Sequence, residues 1–223
     1  MPANQIWDDV DRYFVGKLHA DDPVLERALQ RSNEGGLPLI QVSASQGKLL
    51  YQLVKLTGAK RILEIGTLGG YSTIWQARAL PDDGELITME LEPHHAEVAQ
   101  ANLDDAGVSG KVRIVVGKAA DSLATLHAEQ PEPFDFIFID ADKPSNPEYW
   151  KWALQFSHPG TVIFVDNVVR DGGVVDAGSD NAQVIGVRQV TDLIAAEPRV
   201  EAMALQTVGS KGYDGFLLAR VIE

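Results

Sequence analysis

Cysteine is missing from all 223 positions, which excludes disulfide staples, thiolate catalysis and sulfur-ligated zinc. Carboxylates, amides and imidazoles remain as the side chains able to hold a metal, and among these an oxygen-bound, hard ion is the expectation. Basic residues are scarce too: 19 Lys and Arg stand against 32 Asp and Glu, a formal charge of −13. A field of that sign repels phosphate backbones and anionic lipid, which argues against nucleic acid and membrane as partners. No apolar run approaches the roughly 20 residues that cross a bilayer. Met1 to Ala20 also lacks the basic start and apolar core of a signal peptide, so a cytoplasmic location is the expectation. Repeats, low-complexity stretches and long linkers are absent. With 45% of residues hydrophobic, one domain closing one core is expected.

What is present is an alternation. Short apolar runs at Arg61–Ile65, Glu85–Met89, Val112–Val116, Phe134–Ile139 and Thr161–Val165 read as buried strands. Between them, Ser72–Leu80, His94–Ala106, Glu148–Phe156 and Val184–Ala196 carry apolar residues at helical spacing. That pattern predicts a doubly wound α/β fold with a mostly parallel sheet. Val200–Val208 and Phe216–Ile222 are strand-like runs joined by a turn around Ser210–Gly212, too short for a crossover helix, so the sheet should finish in an antiparallel hairpin. Ahead of the first strand, Gln5–Leu18, Pro23–Asn33 and Ser45–Thr57 read as helices. Residues 1–58 are thus expected to form a helical cap over the ligand edge of an α/β core at 59–223.

Open α/β sheets bind ligands beyond the carboxyl ends of their strands, and here those ends are polar. The first runs into Glu64-Ile65-Gly66-Thr67-Leu68-Gly69-Gly70-Tyr71-Ser72, where glycines permit a tight turn and close backbone approach at a helix start. Its glycine spacing does not fit the dinucleotide fingerprint Gly-x-Gly-x-x-Gly, which favours another nucleoside over a nicotinamide cofactor. The second strand ends at Glu90, placed to accept hydrogen bonds from a ribose, although such a residue can equally be a solvated cap. The fourth strand runs into Asp140-Ala141-Asp142-Lys143 and the fifth into Asp166-Asn167. Asp140, Asp166 and Asn167 therefore put three oxygen donors at neighbouring strand ends, the outline of a metal site, unless Asp166-Asn167 merely caps a turn. Two adjacent carboxylates call for a cation, and Mg²⁺ fits an all-oxygen set that leaves positions open for two neighbouring phenol oxygens. Lys143 could reach the same mouth and act as a base, since a nearby cation favours its neutral form; a solvated surface lysine is the plainer alternative. The five His residues share no ligand spacing, the four Trp read as core or interface, and no Ser stands in a nucleophile-elbow context.

At Glu64–Ser72, Glu90, Asp140–Lys143 and Asp166-Asn167 the chain resembles the cation-dependent O-methyltransferases of the catechol and caffeoyl-CoA type. The likeness extends to Val42-Ser43 with Gln46-Gly47, to Gly117 with Ala119, and to Pro159-Gly160, and so covers nearly the whole length. It implies a class I methyltransferase fold, Rossmann-like, with S-adenosylmethionine (SAM) over Glu64, Gly66, Thr67 and Ser72. The ribose would lie on Glu90, the adenine near Ala119 and the methionyl end near Val42, with Asp140 also beside the donor. It further implies a divalent cation such as Mg²⁺ on Asp140, Asp166 and Asn167, Lys143 and Asp140 as catalytic residues, a small phenolic acceptor, and a homodimer. The chain departs from this pattern at Ala44, at Ser145-Asn146-Pro147 and at Val168–Gly173, where relatives often carry a proline, an aromatic and a pocket-lining aromatic; the acceptor is thus left open. Two other readings compete: a nicotinamide-dependent oxidoreductase on a related fold, and a catalytically silent SAM-binding protein.

Overall fold

The computed structural model describes residues 3–223. Three helices lead: α1 (Ala3–Leu18), α2 (Pro23–Glu34) and α3 (Ala44–Thr57). Their limits follow local chemistry. Asp22 accepts from the Leu25 backbone N–H ahead of Pro23 in the first turn of α2, and Ser43 Oγ accepts from Gln46 N at the start of α3. α3 stops at Gly58 in the left-handed conformation that glycine adopts without penalty.

The core follows as β1 (Arg61–Ile65), α4 (Tyr71–Ala79), β2 (Glu85–Glu90), α5 (Pro93–Asp105), β3 (Val112–Val116), α6 (Ala119–Ala128), β4 (Phe134–Ile139), α7 (Asn146–Gln155), β5 (Ser157–Asp166), α8 (Ala182–Ala195), β6 (Val200–Gly209) and β7 (Gly212–Val221). The seven strands lie in the order β3-β2-β1-β4-β5-β7-β6. The first five are parallel, and β7 runs antiparallel to both β5 and β6, as the short final turn requires. The expected fold class is present. One helix, α6, was not anticipated: its sequence AADSLATLHA buries only Ser122, Leu123 and Leu126, too few apolar positions to mark a face.

Alternation along the strands divides the core in two. Leu63, Ile65, Ile137, Ile139 and Ile163 face the layer under α6, α7 and α8, whereas Ile62, Phe136, Phe138 and Phe164 face α3 and α4. Filled on both sides, β1 and β4 are buried almost throughout, so they read as mainly apolar runs rather than as an alternation. β6 is an edge strand exposed over nearly its whole length, and α1 packs beside it. No helix among the described residues is long and apolar enough to cross a membrane.

Candidate active site

The carboxyl ends of β1, β2, β3, β4 and β5 open into one cavity of about 710 Å³, roofed by the segment from Pro38 to Val42. Its donor-side wall begins at the turn after β1. Gly66 takes a φ of +107°, and a side chain there would overlap the Asp140 carbonyl, so only glycine lets the two strand ends come this close. Glu90, at the end of β2, holds that turn in place: its Oε2 accepts from Leu68 N at 2.7 Å and Thr67 N at 3.3 Å, and its Oε1 accepts from Glu92 N at 3.0 Å. These bonds fix a carboxylate at the cavity wall with acceptor capacity left over for hydroxyl groups.

Val42, Gly66, Thr67, Ser72, Glu90 and Ala119 all line the cavity. Glu64 does not; it lies beneath. Fully buried, its carboxylate accepts from Ser72 Oγ at 2.7 Å, Thr73 Oγ1 at 2.5 Å, Gln76 Nε2 at 2.6 Å and Thr88 Oγ1 at 2.7 Å. Thr67 and Thr88 hydroxyls are 2.6 Å apart, so the chain Thr67–Thr88–Glu64 ties the glycine-rich turn to the sheet. Burial pushes the Glu64 carboxyl up to about 7, against the opposing pull of its four donors. Glu64 therefore shapes the donor wall from below, through Ser72 and Thr88.

The other half of the cavity holds Asp140, Lys143 and Asn167. Lys143, on a short 3-10 turn after β4, is buried, and its Nζ donates to Asp140 Oδ1 at 2.8 Å. The turn is seated by α8, where Gly186 meets the Lys143 carbonyl so closely that a Cβ would overlap it. Asp166, at the end of β5, is buried just behind the cavity. Its Oδ2 accepts from Gln46 Nε2 of α3 at 2.7 Å and its Oδ1 from Asn167 N at 2.9 Å. Burial first and the neighbouring Asp140 carboxylate second raise the Asp166 carboxyl well above its ordinary range, while Lys143 opposes that rise. Asn167 has a φ of +56°, a left-handed conformation that asparagine tolerates better than most residues.

Two carboxylates are thus neighbours where a single ammonium offsets only one negative charge, and Asn167 borders the same half of the cavity. Among the described residues no three His, Asp or Glu side chains gather as a metal cage, so a cation held by Asp140 and Asp166 would need a third ligand of another kind, such as the Asn167 amide. The donor set fits: all three groups offer hard oxygens, and each Asp166 oxygen keeps a lone pair beyond its one hydrogen bond. Sequence reasoning gave no role to Gln46, brought to Asp166 across 120 positions of chain, nor to Arg170 and Gln183, which also line this half. Arg170 had a weak signal, as a charged residue four positions after the strand-ending Asp166.

A glycine-rich turn after the first parallel strand and an acidic residue ending the second mark the class of Rossmann-like nucleoside-binding enzymes. Within it, the chain belongs to the O-methyltransferase family, whose model matches residues 18–222. It is 51% identical over 218 residues to a catechol O-methyltransferase of Niastella koreensis, spanning 98% of this chain and 99% of that one. Among solved structures it is similar to the O-methyltransferase TomG of Streptomyces achromogenes, in complex with SAM, at 50% identity, full coverage of both chains and a TM-score of 0.97. It is likewise similar to an O-methyltransferase of Bacillus cereus in complex with S-adenosylhomocysteine, at 52% identity, a TM-score of 0.96 and coverage of 97% and 99%. The enzyme is thus a SAM-dependent O-methyltransferase, and the nicotinamide reading is set aside.

Proposed function

We propose that the enzyme methylates one hydroxyl of a small catechol-type phenol, with Asp140, Asp166 and Asn167 holding a divalent cation such as Mg²⁺. The observation that carries this reading is the pairing of Asp166 with Asp140 at the end of a cavity whose other end carries the glycine-rich turn and Glu90. In this reading Glu90 receives the ribose hydroxyls, the Gly117–Ala119 segment borders the adenine, and Val42 borders the methionyl end. A bound cation would supply neutralisation of the two carboxylates and a Lewis-acid contact that makes a phenol hydroxyl easier to deprotonate. Lys143, whose neutral amine the same cation charge would favour, its extra proton passing to solvent, takes the hydroxyl proton at Nζ. The phenolate oxygen then forms its bond to the methyl carbon as the carbon–sulfur bond breaks, the electron pair passing to sulfur and leaving neutral S-adenosylhomocysteine. Such an in-line displacement gains most of its rate from positioning, which the rigid strand ends provide. The names of the relatives near 50% identity support a catechol acceptor.

The same reading includes a homodimer. Ile6, Val10, Tyr13 and Phe14 of α1 and Met203, Leu205 and Val208 of the edge strand β6 are exposed apolar groups on adjacent elements, suited to a second copy of the chain. Sedimentation should give twice the chain mass, and a monomer would remove that part.

The deciding experiment mixes enzyme, SAM and catechol in EDTA and then restores Mg²⁺. Methyl transfer is expected only after Mg²⁺ is restored, whereas SAM binding by calorimetry should not depend on the metal. Full turnover in EDTA would remove the cation from the reaction. Metal binding without turnover of any phenol would remove the phenolic acceptor and point the transfer to a hydroxyl of another kind.

A further inference from the structure

The strand order sets a sequence of subsites along the cavity. β3, β2 and β1 supply the donor side, β4 and β5 the Asp140 and Asp166 pair, and the segment after β5 lies farthest from the donor. That segment, Val168–Gly173, is tightly built. Val168 N donates to Gly215 O of β7 at 3.0 Å, and the backbone N–H groups of Val169 and Arg170 both donate to Asp214 Oδ1, at 2.9 and 3.0 Å. Arg170, Asp171 and Gly172 follow one another at φ values of +54°, +54° and +84°. Two consecutive non-glycine residues held in the left-handed region cost free energy that the clamp from Asp214 offsets, a pattern found where side-chain placement serves function.

The side chain so placed is a guanidinium lining the acceptor half of the cavity, with Gln183 of α8 beside that half. It forms a long ion pair with Asp214 Oδ2 at 3.6 Å, beyond hydrogen-bond distance, while Asp214 Oδ1 is engaged with the two backbone amides. The Arg170 side chain is one-third exposed. Its fork of donors is therefore available to an incoming anion. The other cation of this half, Lys143, is engaged with Asp140.

We infer that Arg170 selects acceptors in which the dihydroxylated ring also carries a carboxylate, on the side of the ring away from the reacting hydroxyls. The inference rests on the proposed phenol acceptor and specifies its class. An acidic ring entering an electronegative chain, past Asp140 and Asp142, would be repelled without a local cation, and a planar guanidinium matches a carboxylate with two parallel donors. A neutral catechol would leave Arg170 with only its long contact to Asp214 and solvent.

The test compares 3,4-dihydroxybenzoate with its methyl ester, which keeps the ring and both hydroxyls but removes the charge. Each is assayed with SAM and Mg²⁺ in the parent enzyme, Arg170→Gln and Arg170→Lys, with melting temperatures checked alongside. The parent enzyme is expected to favour the acid over the ester in kcat/KM by roughly 10- to 100-fold, the factor of a charge-assisted hydrogen-bond pair. In Arg170→Gln that ratio should fall toward one, and Arg170→Lys should recover part of it. Calorimetric affinity of the acid for enzyme loaded with S-adenosylhomocysteine and Mg²⁺ should fall by a similar factor in Arg170→Gln. Equal use of acid and ester by the parent, or a loss in Arg170→Gln that strikes both alike, would overturn the inference and make Arg170 a tether for the loop. A parent enzyme that methylates neither compound would remove the catechol reading itself, and this inference with it.

Discussion

Replacing Asp166 by asparagine keeps the shape of the side chain and removes its charge, at a point where the structure holds one negative charge too many. Asp140 and Asp166 are neighbouring carboxylates, and the single ammonium, Lys143, is engaged with Asp140 at 2.8 Å. Asp166→Asn leaves a balanced Asp140–Lys143 pair. The losses are small, because the new amide oxygen still accepts from Asn167 N and Gln46 can turn its own amide to accept from the new Nδ2. An uncompensated buried carboxylate costs several kcal/mol after relaxation, and two weakened hydrogen bonds return part of that, so the metal-free variant should gain about 1–3 kcal/mol. For a chain of this length that is about 3 to 9 °C in melting temperature. Thermal unfolding at pH 8 in EDTA measures it directly. Mg²⁺ should then raise the melting temperature of the parent by mass action and leave the variant unmoved, and turnover should fall about 100-fold or more. A variant that melts lower than the parent in EDTA would refute the reasoning: Asp166 would then be a net stabilising group, held by Gln46 and Asn167 rather than strained by Asp140.

Lys143→Ala should keep its affinity for S-adenosylhomocysteine by calorimetry but lose about 10²- to 10⁴-fold in turnover, the span of a removed general base; an unchanged rate would make the lysine a structural counter-charge only. Because burial raises the folded-state Glu64 carboxyl from its ordinary 4.5 to about 7, the folded chain binds more protons than the unfolded chain between those values. The contribution of that group is thus complete below about pH 4.5 and is lost as pH rises through about 7, so Glu64→Gln should flatten the decline of stability with pH across that window in urea titrations. An unaltered slope would mean that the four donors keep Glu64 ionised throughout. Gly186→Ala would push α8 against the Lys143 carbonyl, and it should lower kcat with little change in SAM affinity; a normal kcat would show that the 3-10 turn yields freely.

The parallel strands were legible because β1, β2 and β4 are buried on both faces, so apolar residues dominate them without a strict alternation. The polar residues that end them were legible for the complementary reason, since a carboxylate at the end of such a run needs a purpose or a partner. Glu64 shows the limit of that logic: it is as polar as Glu90, yet it sits one turn deeper and spends itself on four internal donors. Depth of that kind depends on where Thr73, Gln76 and Thr88 fall in space, and spacing alone does not report it. The bond from Gln46 to Asp166 and the clamp of Asp214 on Val169 and Arg170 join elements far apart in the chain, so they became visible only once α3, β5 and β7 were placed together. β5 extends back to Ser157 despite Pro159, because its early residues pair irregularly with β4 and tolerate the missing N–H.

The position of β7 bears on how the protein is made. It follows β6 in the chain, yet it lies between β5 and β6 in the sheet, so β6 has no strand to join until β7 has emerged from the ribosome. The turn, strands and helices around Gly66 and Glu90 come earlier and lean on one another. The loop bearing Arg170 is fastened by Asp214 and Gly215, synthesised more than forty residues later. During synthesis, the half of the cavity facing the methyl donor can therefore be in place while the half facing the acceptor still waits for its fastening.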